Sequence, residues 1–279
     1  MNESMTFHFS KNVEINFEKG GNEGPAVIFL HGFGDSLATW SGIRNAMPKD
    51  YQLYFIDLKG CGYSSKPNDG KYSAVDQAEI ITAFIDRQGL KRVILVGHSF
   101  GGAVALLTYM NFHNNPVNPI EKIVLIDSAG YNQKLPFFIA ILRIPVVNSL
   151  VLNLLPGEFQ AEHTLRNLIY DKSKLTRDKI LRYEMFYAMP GSHNALIQTA
   201  KQIVPVNHEE IIKKIKLINV PTLIMWGRND PIIPVENAFK FQADISGAKA
   251  KIIDNCGHIP QEEKPEEAIK AIAEFLSGD

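Results

Sequence analysis

"RVILVGHSFGGAVALLTYM", residues 92–110, decides how the rest of the chain is read. The aliphatic run Val93–Val96 stops at Gly97, and Ser99 then stands between Gly97 and Gly101. An apolar helical pattern, "AVALL", begins at Ala103. A continuous apolar run of this kind suits a strand covered on both faces. The sharpest turn of the segment therefore joins a buried strand to a buried helix, with a hydroxyl at the bend. Small neighbours let strand and helix approach, and a serine at the tip of such a turn projects above the sheet. The helix N-terminus adds a backbone N–H and a field that favours a developing oxyanion. G-x-S-x-G alone occurs in any glycine-rich loop, so the strand before it and the helix after it give it meaning.

The same alternation recurs along the chain. Strand-like runs are "VEINF" (13–17), "AVIFL" (26–30), "QLYFID" (52–57), "RVILVG" (92–97), "KIVLID" (122–127), "PTLIMWG" (221–227) and "AKIID" (250–254). Helical patterns fall between them at 73–89, 100–112, 235–246 and 264–277. Gly89 is a natural stop for the first, and Pro265 with the glutamates after it suits a helix start. Alternation of this kind predicts an α/β, doubly wound, mostly parallel sheet. The rhythm breaks after residue 130, where the pattern is helical and punctuated by Pro136, Pro145, Pro156 and Pro190. The expected organisation is a core in two parts, 1–130 and 206–279, with a helical cap over 131–205. Inserted helices at the carboxyl ends of parallel strands lie where such sheets bind ligands.

Composition narrows the function classes. The 279 residues are 45% hydrophobic and 21% charged, with a net charge of −1, so no basic excess exists to neutralise nucleic-acid phosphates. Two cysteines, Cys61 and Cys256, without metal-type spacing read as free thiols in a reducing compartment. The start, "MNESMTFHFS", lacks the apolar centre of a signal peptide, so a cytoplasmic location is expected. The segment Pro136–Pro156 is nearly long enough to span a bilayer, but it contains Arg143, Pro145, Asn148 and Asn153. Two amphipathic helices broken near Pro145 are expected instead of a membrane segment. Phe137, Phe138, Ile139, Ile141, Leu142, Val146, Val147 and Leu150 could face an internal pocket with Phe33 and Phe100, though plain core packing is the commoner use of each such residue.

A serine nucleophile needs a base, and His258 stands in the loop after the last strand, over the same sheet edge. The base needs a carboxylate to fix its tautomer. Asp230 in "WGRNDPIIP" follows a strand directly and is the better candidate; Asp127, after "KIVLI", is the rival and could instead cap the turn "DSAG". In "LHGFGDS" (30–36) a His-Gly pair past an early strand can turn the next amide toward the nucleophile. The oxyanion donors are then the N–H groups of Phe33 and Phe100, with His31 holding the loop. Arg143, Arg166, Arg177 and Arg182 could meet a substrate carboxylate, though solvated helix faces are their simpler use.

Taken in order, "HGFGDS", "DLKGCGYSSKP", "GHSFGG", "LIDSAG", "WGRNDPIIP" and "CGHIPQEEKPEE" resemble the α/β-hydrolase superfamily, in its subgroup with a helical cap. The resemblance covers nearly all of the chain outside the cap. It implies an eight-stranded sheet with the cap after strand 6, and a Ser99–His258–Asp230 triad. No metal or organic cofactor is implied. The implied activity is hydrolysis of a largely apolar carboxylic ester, a small-molecule substrate. Capped relatives that open epoxides or remove halides carry aspartate where this chain has Ser99. Serine members include esterases, cofactor-free perhydrolases and meta-cleavage-product C–C hydrolases. The last usually have Asn before the nucleophile and Trp after the histidine, whereas this chain has His98 and Ile259. Some members are small-molecule receptors with residual hydrolysis, and "HGFGDSLATW" is similar to their oxyanion-loop region; the second glycine of "GHSFGG" favours an enzyme.

Overall fold

Strands β3 (Ala26–Leu30), β4 (Gln52–Ile56), β5 (Val93–His98) and β6 (Ile120–Ile126) are apolar along nearly their whole length because both faces of the sheet are covered. With β1 (Glu3–Ser10), β2 (Val13–Gly21), β7 (Thr222–Gly227) and β8 (Lys249–Ile253) they form one sheet in the order β1-β2-β4-β3-β5-β6-β7-β8. The computed structural model describes residues 3–113, 115 and 117–278. β1 pairs antiparallel with β2, and β2 antiparallel with β4; all other neighbours are parallel. β1 is absent from the runs singled out above. Its sequence, "ESMTFHFS", mixes polar and apolar residues as an edge strand does, and so lacks the continuous apolar signal.

The helices fall where the helical patterns place them. After α1 (Ser41–Arg44), α2 (Ala74–Arg87) starts with a capping box: Ser73 Oγ accepts from the Asp76 amide at 3.2 Å, and the Asp76 carboxylate accepts from the Ser73 amide at 2.9 Å. α3 (Phe100–His113) follows Ser99 at once. Six helices lie between β6 and β7: α4 (Phe137–Leu142), α5 (Val147–Leu154), α6 (Gly157–Leu168), α7 (Arg177–Tyr187), α8 (Ser192–Lys201) and α9 (His208–Ile215). α10 (Glu236–Asp244), α11 (Pro260–Glu263) and α12 (Pro265–Ser277) complete the chain. Pro145 separates α4 from α5, and among the described residues no helix is long and apolar enough to cross a membrane.

Strand alternation sends side chains to two cores. Ile28, Leu30, Leu95, Leu125 and Trp226 pack with α2, α3, α9 and α10, while Val27, Phe29, Val96, Val124 and Met225 pack with α1 and α12. Each such side chain, fully buried, contributes about 1.5–3 kcal/mol. The helices between β6 and β7 have smaller clusters of their own, one of which includes Ile259 beside the last strand's loop.

Parallel register aligns the strand ends. Leu30 lies opposite Gly97, His98 opposite Ile126, and Ile126 opposite Met225. The residues that follow these strands, His31–Phe33, Ser99, Asp127 and Asp230, therefore emerge along one edge. The first turn of α3 crosses that edge so closely that a Cβ at Gly101 would collide with the carbonyl oxygens of Leu30 and His31. Backbone cannot yield as a flexible side chain does, so Gly101→Ala should cost about 1–3 kcal/mol. The expected result is a fall in Tm of several degrees, at about 2–4 °C per kcal/mol, read by differential scanning calorimetry. An unchanged Tm would mean that the helix is free to move away from β3.

Candidate active site

Ser99 occupies the left-handed region, with φ 52°, a conformation that costs a non-glycine residue energy. The surroundings hold it there. Its N–H donates to Ile126 O at 2.9 Å, and its carbonyl accepts from the amides of Gly102 and Ala129, each at 3.0 Å. These bonds tie the turn to β6, the helix and the loop after β6 at once.

The hydroxyl belongs to a chain of hydrogen bonds. Asp230 Oδ2 accepts from His258 Nδ1 at 2.8 Å, which leaves Nε2 without a proton to accept the Ser99 hydroxyl at 2.9 Å. Asp230 Oδ1 accepts from the amides of Ile232 and Ile233 at 2.7 and 3.0 Å. Those bonds hold the carboxylate in place. The side chains of His258 and Asp230 are 4% and 0% exposed, so their hydrogen bond is screened little by water.

Asp127 is close but bonded differently. Its Oδ1 accepts from the Gly227 amide at 3.0 Å, so it braces β7 and does not cap the turn after β6. Its backbone, at φ 42°, is strained like that of Ser99. Burial pushes its carboxyl well above the ordinary aspartate range, and the neighbouring charge of Asp230 adds to the rise. Of the two acids, Asp127 is the one whose charged form burial disfavours, and Asp230 is the one bonded to His258. Ligand atoms of Asp127, Asp230 and His258 lie within 4.8 Å of one another, but Asp230 and His258 already bond to each other and Asp127 to the Gly227 amide.

The loop after β3 completes the surroundings of Ser99. His31 is fully buried: its Nδ1 donates to Gly32 O at 2.8 Å and its Nε2 accepts from the Leu58 amide at 3.0 Å. Gly32 and Phe33 then border the same cavity as Ser99. The amides of Phe33 and Phe100 donate to no other backbone carbonyl among the described residues.

Three residues that fix His258 escaped the sequence reading. His98 Nε2 donates to the His258 carbonyl at 2.7 Å, and burial holds the His98 ring well below its ordinary pKa, hence neutral. The His258 amide donates to Leu168 O at 2.7 Å, at the end of α6. The buried Glu263 carboxylate accepts from the amides of Gly257, Tyr170 and Asp171 at 2.8, 3.1 and 2.7 Å. The histidine loop is thus stitched both to the sheet and to the helices above it. Of the signals, only the position of His98 beside Ser99 was visible in the sequence.

A cavity of about 250 Å³ opens over Ser99 and His258. Phe33, Phe137, Phe138, Ile139, Ile141 and Leu142 line it as expected, but Val146, Val147 and Leu150 do not; α5 turns Val151 and Leu152 inward instead, followed by Leu155. Gln160, His163 and Thr164, on one face of α6, give it a polar end. A smaller cavity, about 100 Å³, lies on the other side of Ser99 against Phe100, Ala103, Leu106 and Tyr131. Phe100 therefore lines the second cavity and not the first, because α3 carries its side chain to the far side of the turn. None of the four arginines named above lines either cavity. Arg166 and Arg177 pair with Glu162 and Glu158, Arg143 is exposed, and Arg182 bonds to Glu262 and to Ala38 O.

Comparison with known proteins concerns the family and the fold. The family model described as "alpha/beta hydrolase fold" matches residues 25–265. The chain is 28% identical to a 2-hydroxy-6-oxo-6-phenylhexa-2,4-dienoate hydrolase of Comamonas testosteroni, over 94% of this chain and 91% of that one. It is 27% identical to the monoacylglycerol lipase abhd6-B of Xenopus laevis, over 93% of this chain and 77% of that one. Among solved structures, the epoxide hydrolase CorEH superposes with a TM-score of 0.84 at 19% identity, covering 100% of this chain and 99% of the other. The last similarity concerns the fold alone.

The two acids separate by mutation. Asp230→Asn removes the charge that faces His258, so kcat should fall by about 10⁴. Asp127→Asn keeps an acceptor for the Gly227 amide and leaves the Asp230–His258 bond in place, so kcat should stay within about threefold. Steady-state kinetics on a chromogenic ester reads both, and the reverse ranking would make Asp127 the working acid.

Proposed function

The chain belongs to the α/β-hydrolase fold family, and on that premise we propose that it is a serine hydrolase of largely apolar carboxylic esters. The observation that carries this reading is the unbroken hydrogen-bond chain from Ser99 through His258 to Asp230, at the foot of an apolar cavity. In the proposed reaction His258 Nε2 takes the Ser99 proton as Oγ attacks the ester carbonyl. The amides of Phe33 and Phe100 receive the oxyanion, each donor contributing about 3–4 kcal/mol to the transition state. His258 then gives its proton to the departing alcohol, and water repeats the sequence on the acyl-enzyme. Asp230 holds the imidazole in its Nδ1–H tautomer and stabilises the imidazolium.

Two cavities that meet at Ser99 suit a substrate with an apolar group on each side of the ester. The larger cavity contains His258, the proton donor to the leaving group, and therefore suits the alcohol side. The smaller one, beside the Phe100 amide, suits the acyl side.

The similarity to a dienoate hydrolase supports C–C bond hydrolysis as a second reading. A dienoate carries a carboxylate, which needs a cation or several donors when buried. Among the described residues lining either cavity there is no Arg or Lys, and Asp35 borders the larger one. That charge pattern favours a neutral ester.

Ser99→Ala and His258→Ala should each lower kcat on p-nitrophenyl esters by about 10⁴–10⁶, with the fold intact by circular dichroism. A chain-length series run beside a dienone acid reports the substrate class. Full esterase activity in Ser99→Ala would refute the reading.

A further inference from the structure

Helix α5 is apolar on both sides. Leu152 is buried and Val151 lines the main cavity, while Leu150 and Leu154, one helical turn apart, face water at 51% and 72% exposure. On that exposed side Leu150 and Leu154 stand beside Ser149 and Asn153, and the helix has protein on its other side only. Its neighbours repeat the pattern: Phe137, Ile144, Val146 and Phe159 are also exposed, with Val146 held at φ 69° at the corner between α4 and α5. Seven of the seventeen large apolar side chains exposed among the described residues fall between Phe137 and Phe159. Such clustering marks an interaction surface, since scattered exposed apolar residues are normal.

Charge identifies the partner. From Leu135 to Gly157 the only charged residue is Arg143, which is exposed, and Lys134 precedes the segment; Glu158, beside Phe159, is paired with Arg177 at 3.7 Å. An apolar face with cations at its edge complements an anionic bilayer, where each basic residue near the surface adds about 1 kcal/mol. The face also adjoins the cavity. Phe137, Leu155 and Phe159 belong both to the exposed cluster and to the lining of the cavity that reaches Ser99.

We propose that the α4–α5 corner, with Phe159, is a docking face for an anionic phospholipid surface, from which lipid esters enter the cavity. The docking stands on the surface alone; the substrate class rests on the hydrolase reading above. Of the single membrane segment considered for Pro136–Pro156, what remains is a surface-lying face in two short helices.

Ser99→Ala protein separates binding from turnover. Co-sedimentation with vesicles of phosphatidylcholine, with and without about one third phosphatidylglycerol, should show binding that the anionic lipid strengthens at least about fivefold. A Leu150→Glu/Leu154→Glu variant should weaken vesicle binding by about tenfold or more, because each change puts a charge where apolar area must bury. Neither residue lines a cavity, so in the otherwise native chain this variant should keep turnover of a short dissolved ester within about twofold. Turnover of a vesicle-borne ester should fall with binding. Arg143→Glu, exposed and structurally neutral, should reduce only the preference for anionic lipid. Absence of vesicle binding, or equal binding by the double variant, would overturn the proposal. So would a concentration-dependent dimer in sedimentation velocity that the double variant abolishes while vesicle binding is nil, since a second copy would then cover the face. If Ser99→Ala binds vesicles while native protein hydrolyses no ester, the hydrolase reading fails and the docking face stands.

Discussion

At Gly101 the first turn of α3 passes so near the carbonyl oxygens of Leu30 and His31 that no Cβ fits between them. That approach fixes the relation of α3 to β3 and β5, and with it the one position from which Ser99 Oγ reaches His258 Nε2. Gly97 faces the same helix, and a Cβ there would collide with Gly101 O. The left-handed backbone at Ser99 follows from this crowding: the chain must leave the strand and enter the helix within one residue. The strain is held by bonds to β6 and the loop after it, so the Ser99 hydroxyl is positioned by the sheet rather than by its own rotamer preferences.

His258 is positioned by a different device. Its loop gains one anchor from the sheet, through His98, and others from the end of α6 and the residues after it, through Leu168 O and Glu263. The buried Glu263 carboxylate, bonded to three backbone amides, is the kind of charge a protein retains only when its acceptors are fully used. The helices over the sheet therefore do more than roof the cavity, because they set the height of the histidine above Ser99. On the opposite side Arg182, Glu262 and the Asp35–Tyr183 hydrogen bond fasten α7 to the core. The α4–α5 corner has no comparable ionic fastening: its one charged residue, Arg143, is exposed.

Most of the fold was legible in the sequence because parallel strands buried on both faces are continuous apolar runs, and helices between them carry the longer period. β1 escaped because an edge strand lacks that run. Ser99, His258 and Asp230 could be placed because each follows a strand whose end the sheet aligns. The supports could not. His98, Glu263 and Asp127 act through backbone groups or neighbours that are distant in the chain, and their own surroundings in sequence carry no trace of those partners. The phase of α5 was also illegible. When a helix is apolar on both sides, periodicity cannot say which side turns inward, and the expectation that Val146, Val147 and Leu150 line the pocket failed for that reason.

The central claim is that the turn at Ser99 holds an activated nucleophile. Stoichiometric labelling with a fluorophosphonate, followed by intact-mass and peptide mapping, tests it without knowledge of the natural substrate. The account predicts a single adduct on Ser99 in the native protein, formed at least about 10³ times more slowly in His258→Ala. An adduct on another residue, or labelling of Ser99 at the same rate without His258, would contradict it.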